Sequence, residues 1–191
     1  MSNLCQEITL PPKPLTHIDD TEGEIALCIL SAVNVGKLRN LEEMEELCDL
    51  AVRGLDELID FQRYPIQAAE TATKNRRSLG IGFIGLAHYL AKNHADYASP
   101  EAAQLVHDLT EHFQYYLIRS TVNLAKEKGA CGYSDRTKYH HGILPIDTYK
   151  KDVDNIVPNN LTLDWEALRA DCKKYGVRNS TLSAQMPSES S

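Results

Sequence analysis

The chain lacks a basic run. Its densest cluster of positive charge is Lys74-Asn75-Arg76-Arg77, set against a net charge of −7. A nucleic-acid binder carries an electrostatic footprint for phosphate, so no nucleic-acid partner is expected. A nucleotide is still allowed, because a few local groups can hold one diphosphate. Long hydrophobic runs are missing too. The apolar stretches at 25–35 and 81–90 fall far short of a membrane span, so no membrane contact is expected. Residues 1–20 are too polar for a signal peptide and contain Pro11, Pro12 and Pro14. With 10 Gly and 8 Pro, the chain is neither fibrous nor low-complexity. Five cysteines (Cys5, Cys28, Cys48, Cys131 and Cys172) form no CxxC pair and no Cys/His zinc spacing, so no metal site is expected. A reduced cytoplasmic protein is the matching expectation.

What remains is ordinary for one globular domain: 191 residues, 42% hydrophobic and 25% charged. Residues 1–10 read as extended, ended by the prolines, and Asp19, Asp20 and Gly23 read as a turn. The run at 25–35 is of strand type. Asn40 and Glu43 form a capping-box pattern that opens a helix. Its apolar stripe is Met44, Leu47, Cys48, Ala51, Leu55, Leu58 and Ile59, which makes Cys48 a packing residue, and Pro65 closes the segment. A second helix is predicted over 81–93. A third opens at the cap Ser99 with Pro100 in its first turn and ends at Gly129, roughly 40 Å long. A fourth covers 163–174, and 179–184 reads as a short strand. Long helices alternating with short apolar strands predict an α/β architecture.

Two constellations carry chemistry. In an extended segment Asn3, Cys5 and Glu7 share a face, offering an amide, a thiol and a carboxylate about 7 Å apart in turn. Such a set supplies a sulfur for covalent or radical work, a base for an alcohol proton and a group to orient the substrate. The plain alternative is a polar strand face with a chance cysteine. At the other end, Ser188, Ser190 and Ser191 follow Pro187 after a strand. A serine-rich turn opening a helix offers N–H groups and hydroxyls to a phosphate, or is simply a helix cap. Gly80-Ile81-Gly82-Phe83-Ile84-Gly85 fits GxGxxG, but the preceding residues are polar rather than a strand. Glu101, at the acidic offset, lies in the first turn of a predicted helix, so a dinucleotide site is rejected. Close helix packing is the expected role of these glycines.

Ser2-Asn3-Leu4-Cys5-Gln6-Glu7 resembles the radical-cysteine loop of the class I ribonucleotide reductase large, catalytic subunit. The resemblance continues, in the family's order, through residues 23–28, Arg76-Arg77-Ser78-Leu79-Gly80-Ile81-Gly82, residues 142–152, residues 177–184 and Met186-Pro187-Ser188-Glu189-Ser190. It implies that residues 1–191 are part of a ten-stranded α/β barrel, supplying the finger loop (1–14), much of the second half-barrel and the start of the substrate-phosphate turn (186–191). It implies that Cys5 becomes a thiyl radical that abstracts the ribose 3′ hydrogen. Glu7 would be the base for the 3′ hydroxyl, and Asn3 would hydrogen-bond the sugar. Cys28 would be one of two cysteines oxidised as the 2′ hydroxyl leaves. Glu189, Ser190 and Ser191 would hold the diphosphate, making Asn3, Glu7 and these three the substrate contacts.

The same resemblance implies the partners: a ribonucleoside diphosphate, other segments of the large subunit, a radical-bearing small subunit with its metal/radical cofactor, and thioredoxin or glutaredoxin. The ATP and deoxynucleotide effector sites, the second redox cysteine, the radical-relay tyrosines and the C-terminal exchange cysteines are expected outside this chain, which itself binds no cofactor. The chain is therefore expected to be a split-gene product, an inter-insertion segment or a truncation, inactive alone. A non-catalytic helical interaction module from a truncated gene is the competing expectation.

Overall fold

In the computed structural model, residues 6–187 are described. Strand β1 (Ile29–Asn34) pairs in parallel with β2 (Leu79–Ile84), Ile29 opposite Leu79 and Asn34 opposite Ile84. A third segment, 181–184, runs parallel along the other side of β2. Leu79 and Ile81 donate their amides to the Thr181 and Leu182 carbonyls at 2.9 and 2.8 Å, and Ala184 returns one to Ile81 at 3.1 Å. Parallel neighbours need crossovers. The first is α1 (Glu43–Phe61) followed by α2 (Gln67–Arg76). The second holds α3 (Leu86–Lys92), α4 (Pro100–Lys128), the one-turn α5 (Pro145–Thr148) and α6 (Trp165–Tyr175). None of the described helices is long and apolar enough to cross a membrane.

The helix boundaries follow their caps. Asn40 accepts the Glu43 amide at 3.2 Å, while the Glu43 carboxylate turns to the Arg39 amide at 3.0 Å. α4 begins where Ser99 Oγ accepts the Ala102 amide at 3.1 Å with Pro100 in its first turn, and it ends at Gly129, φ +86°. α1 and α4 pack on one face of the sheet. Met44, Cys48, Val52 and Ile59 of α1 meet Leu109, Phe113, Leu117 and Leu124 of α4 over Val33, Leu79 and Ile81. The apolar stripe on α1 is narrower than its sequence suggests: Val52 is in the core, whereas Leu47 and Leu58 face outward.

Two expectations are corrected. Residues 79–84 form a strand, with the helix beginning only at Leu86. Gly80 and Gly82 are costly in a helix interior, and this strand is covered on both faces, which gives a continuous apolar run rather than an alternating one. The polar stretch ahead of it is the C-terminal turn of α2, a helix absent from the sequence reading. α2 buries only Ala68, Ala69, Ala72 and Thr73, so its apolar stripe is made of small residues and reads weakly.

Charged groups tie the scaffold together behind the strands. Arg77, buried and left-handed at φ +48°, donates to Asp56 at 2.6 Å and to both oxygens of Asp60 at 2.9 and 2.8 Å. Asp56 also accepts from Asn179 at 2.9 Å and from Arg178 at 3.2 Å. Asn179 in turn takes the Thr121 hydroxyl at 2.9 Å. This network joins α1, α4, the start of β2 and the start of the third parallel segment. Breaking such a buried pair from one side costs about 3–5 kcal/mol, because the remaining charge is left uncompensated.

Candidate active site

The sheet face opposite the helices carries the sequence-predicted residues that the structure describes. Gly80 and Gly82 form its floor. A Cβ on Gly80 would collide with Leu30 and meet the Ala184 Cβ at 3.2 Å. One on Gly82 would collide with Met186 Sδ and meet the Ala184 carbonyl at 2.5 Å. These glycines therefore let side chains lie flat on the strand. Gly80 and Gly82 sit inside β2, with Gly85 between it and α3, and the packing partners of Gly80 and Gly82 belong to the sheet face and not to a helix, which corrects the packing role expected of them.

Over this floor lie Ile8, Leu10 and Ala184, with Ala26 and Cys28 packed against them. The N-terminal segment gets there through a closed loop. Lys13 and Glu24 exchange backbone hydrogen bonds at 3.1 and 2.9 Å in an antiparallel bridge. Inside the loop the Asp20 carboxylate accepts the Thr16 amide at 2.8 Å, the Glu22 amide at 2.7 Å, the Thr16 hydroxyl at 2.9 Å and the Gly23 amide at 3.2 Å. Those bonds, the Thr16 amide first, hold its carboxyl well below the usual carboxylate range.

The loop returns the chain so that Cys28 packs against Ile8 and Leu10, on the segment that carries Glu7, 21 positions earlier in sequence. Burial pushes the Cys28 thiol above its ordinary value, and the nearby Glu7 charge adds to the shift. Near neutral pH such a thiol stays protonated, which makes it a hydrogen donor rather than a nucleophilic thiolate. Cys28 is half-buried, whereas Cys48, Cys131 and Cys172 are buried. Burial pushes Cys48 and Cys172 up to about 12 and raises Cys131 as well. Cys28 is thus the accessible thiol among the described residues.

Asn3, Cys5, Glu189, Ser190 and Ser191 lie outside the described residues, as does Ser188. The alternating extended face is corrected where it can be followed. Gln6 has φ +57° and residues 6–7 form a bend, so strict alternation stops just before Glu7. The sequence reading also missed the floor glycines and the link between Glu24 and Arg76. The alternation Gly80-Ile81-Gly82 was the available signal for the floor. Among the described residues, no three His, Cys, Asp or Glu side chains gather as metal ligands do.

Residues 1–191 match the family described as "Ribonucleotide reductase, barrel domain". The ribonucleoside-diphosphate reductase subunit alpha of Haemophilus influenzae is 58% identical over 190 residues, covering 100% of this chain and 25% of that protein. The subunit of the same name from Buchnera aphidicola of Acyrthosiphon pisum is 56% identical over 190 residues, with the same coverage. That from Enterobacteria phage T4 is 45% identical over 192 residues, again 100% of this chain and 25% of the relative. The chain spans a quarter of the length of these curated relatives.

Proposed function

The chain belongs to the ribonucleotide reductase family, within the barrel domain of the large, α subunit, and on that premise we propose that it carries the reducing half of the active site for ribonucleoside diphosphates. The observation that supports this most directly is the packing of Cys28 with Ile8, Leu10 and Ala184 over the glycine floor of a parallel sheet, which sets the thiol beside the segment that carries Glu7.

In this reading residues 1–14 are the finger loop, and residues 1–191 supply it and much of the second half of a ten-stranded α/β barrel. Cys5, as a thiyl radical, takes the ribose 3′ hydrogen. The exchange is reversible because the S–H and C–H bonds are of similar strength. Glu7 takes the 3′ hydroxyl proton while Asn3 holds the sugar, and loss of that proton weakens the neighbouring C2′–O bond. The 2′ oxygen leaves as water. Cys28 and a second cysteine thiol of the complete subunit give up two electrons and two protons as they close to a disulfide, one proton leaving with the 2′ oxygen as water and the other ending on C2′, and Glu7 returns its proton to the 3′ oxygen. Cys5 then returns the 3′ hydrogen. The turn at 186–191 offers Glu189, Ser190 and Ser191 to the diphosphate at a helix start. Effector nucleotides and the metal/radical cofactor of the small subunit bind outside this chain. Thioredoxin or glutaredoxin restores the thiols, and the assembly works in the cytoplasm.

The test is Cys5→Ser in the complete large subunit, assayed with the small subunit and a dithiol. Serine keeps size and polarity, but its O–H bond is too strong to yield the radical at the same driving force. Deoxynucleotide formation is expected to vanish while diphosphate binding persists. Measurable turnover by this variant would remove Cys5 from the role given to it.

A further inference from the structure

We propose that the Glu24–Arg76 ion pair is a positioning device for Cys28, setting the thiol against the finger loop that carries Glu7. The inference rests on the reading of Cys28 as a reductant and deepens it.

Arg76 and Arg77 end α2 side by side but point to different tasks. Arg77 serves the scaffold pair Asp56 and Asp60. Arg76 reaches forward, its Nε and Nη2 donating to one oxygen of Glu24 at 2.9 and 2.7 Å. Both side chains are largely buried, at 14% and 8% exposure, and the Arg76 guanidinium lies 4.9 Å from the centre of the Tyr133 ring. A pair held this far from water is stiffer than an exposed one, whose Coulomb attraction solvent screens.

Glu24 is the point where three parts of the site meet. Its backbone pairs with Lys13 at the base of the finger segment, fixing where the chain bearing Glu7 and Ile8 leaves the sheet. Its side chain fixes that junction to α2. Four residues later comes Cys28, with the intervening chain held by the Ile25 amide on the Ala68 carbonyl of α2 at 3.2 Å. Just beyond Cys28 the Ile29 amide reaches the Ser78 carbonyl at 3.4 Å. The Arg76 carbonyl accepts the Ser180 amide at 2.9 Å, so the same residue also touches the strand that leads to the phosphate turn. Cys28 itself donates to none of these anchors. Its location is inherited from them, and Glu24–Arg76 is the one that also holds the finger loop.

In each turnover Cys28 and its partner thiol must reach the sugar just as the C2′–O bond breaks. They supply two electrons and close to a disulfide, and the oxygen departs as water. A displaced Cys28 leaves the sugar intermediate without its reductant, so nucleotide is consumed without becoming deoxynucleotide. The informative readout is therefore the yield of deoxynucleotide per nucleotide consumed. Loss of folded enzyme lowers total consumption but leaves this ratio unchanged.

The experiment compares Glu24→Gln, Arg76→Met and Arg76→Lys with Cys28→Ser in the complete large subunit, with small subunit and dithiol present. Glu24→Gln keeps shape and hydrogen bonding while removing the charge. In it and in Arg76→Met the yield is expected to fall on the order of tenfold, within the roughly hundredfold loss that a misplacement of about 1 Å can cause. Diphosphate affinity should stay near wild type, and Arg76→Lys should recover part of the yield. An unchanged yield in Glu24→Gln, or yield and affinity falling in step, would overturn the proposal. If Cys28→Ser itself left the yield intact, the reductant reading would be the part that failed.

Discussion

At the scale of single residues, two glycines of the same chain call for opposite outcomes. Gly82 lies under Met186 and the Ala184 carbonyl, so an added Cβ must push the 184–187 segment outward. Gly82→Ala is expected to destabilise by about 1–3 kcal/mol, the usual cost of overpacking. Gly54 sits in the middle of α1 with nothing within 4 Å of its would-be Cβ. Gly54→Ala is expected to stabilise by about 0.5–1 kcal/mol through lower backbone entropy in the unfolded chain. Urea midpoints of the two variants in the assembled subunit check the pair, and a shift of the same sign in both would contradict it. Residues such as these also mark how much of the site could be read from sequence. The types and order of Asn3, Cys5, Glu7 and Cys28 pointed to chemistry once the resemblance gave them roles. Their geometry did not follow from spacing. Gln6 breaks the alternation with a positive φ, and the approach of Glu7 to Cys28 depends on the loop closed by Lys13, Asp20 and Glu24.

At the scale of elements, the best-capped segment was the most legible. Ser99, Pro100 and Gly129 bound a helix whose ends are local chemistry, and α4 begins and ends on them. β2 was misread because a short apolar run with glycines has no period of its own, and only the strands on either side make it a strand. The loop 156–164 owes its course to one buried carboxylate. Glu111 of α4 accepts the Thr162 amide at 2.8 Å, the Thr162 hydroxyl at 3.0 Å, the Leu163 amide at 3.0 Å and the indole N–H of Trp165 at 3.1 Å. Burial alone would raise the Glu111 carboxyl, but those hydrogen bonds outweigh it and hold it below its ordinary value. A lowered folded-state value means the stabilisation is present above the unfolded value of about 4.3 and is lost as pH falls through the folded one. Glu111→Gln is therefore expected to cost about 1–3 kcal/mol at neutral pH, and the gap to wild type should close in acid below that window. Trp165 is the single tryptophan, so its fluorescence reports the loop directly. A gap that persisted unchanged to low pH would show that shape, not charge, holds this loop.

At the scale of the molecule, the sheet is open. Among the described residues β1 has β2 on one side and no strand on the other, and Leu30 on its inner face is 47% exposed. Leu27, just before the strand, is 41% exposed. Ile8 and Leu10 cover only part of that face. An unpaired strand edge beside exposed leucines is a template for association. The curated relatives are four times the length of the aligned stretch, and in the proposed barrel their remaining strands would cover this edge and face. On that reading the 191 residues alone are expected to self-associate in sedimentation velocity and to show no reductase activity, because the partner thiol of Cys28 and the radical route are assigned to other parts of the subunit. Co-expression with polypeptides covering the rest of the large subunit should convert it to a defined complex, since burying the apolar face favours association. Adding the small subunit and a dithiol should then produce deoxynucleotide. The order of events matters: assembly should appear in copurification before any activity does, because burying the edge and the apolar face needs no thiol chemistry. Turnover by the lone chain, or a stable monomer indifferent to the other segments, would count against the reading of these residues as one part of an assembled barrel.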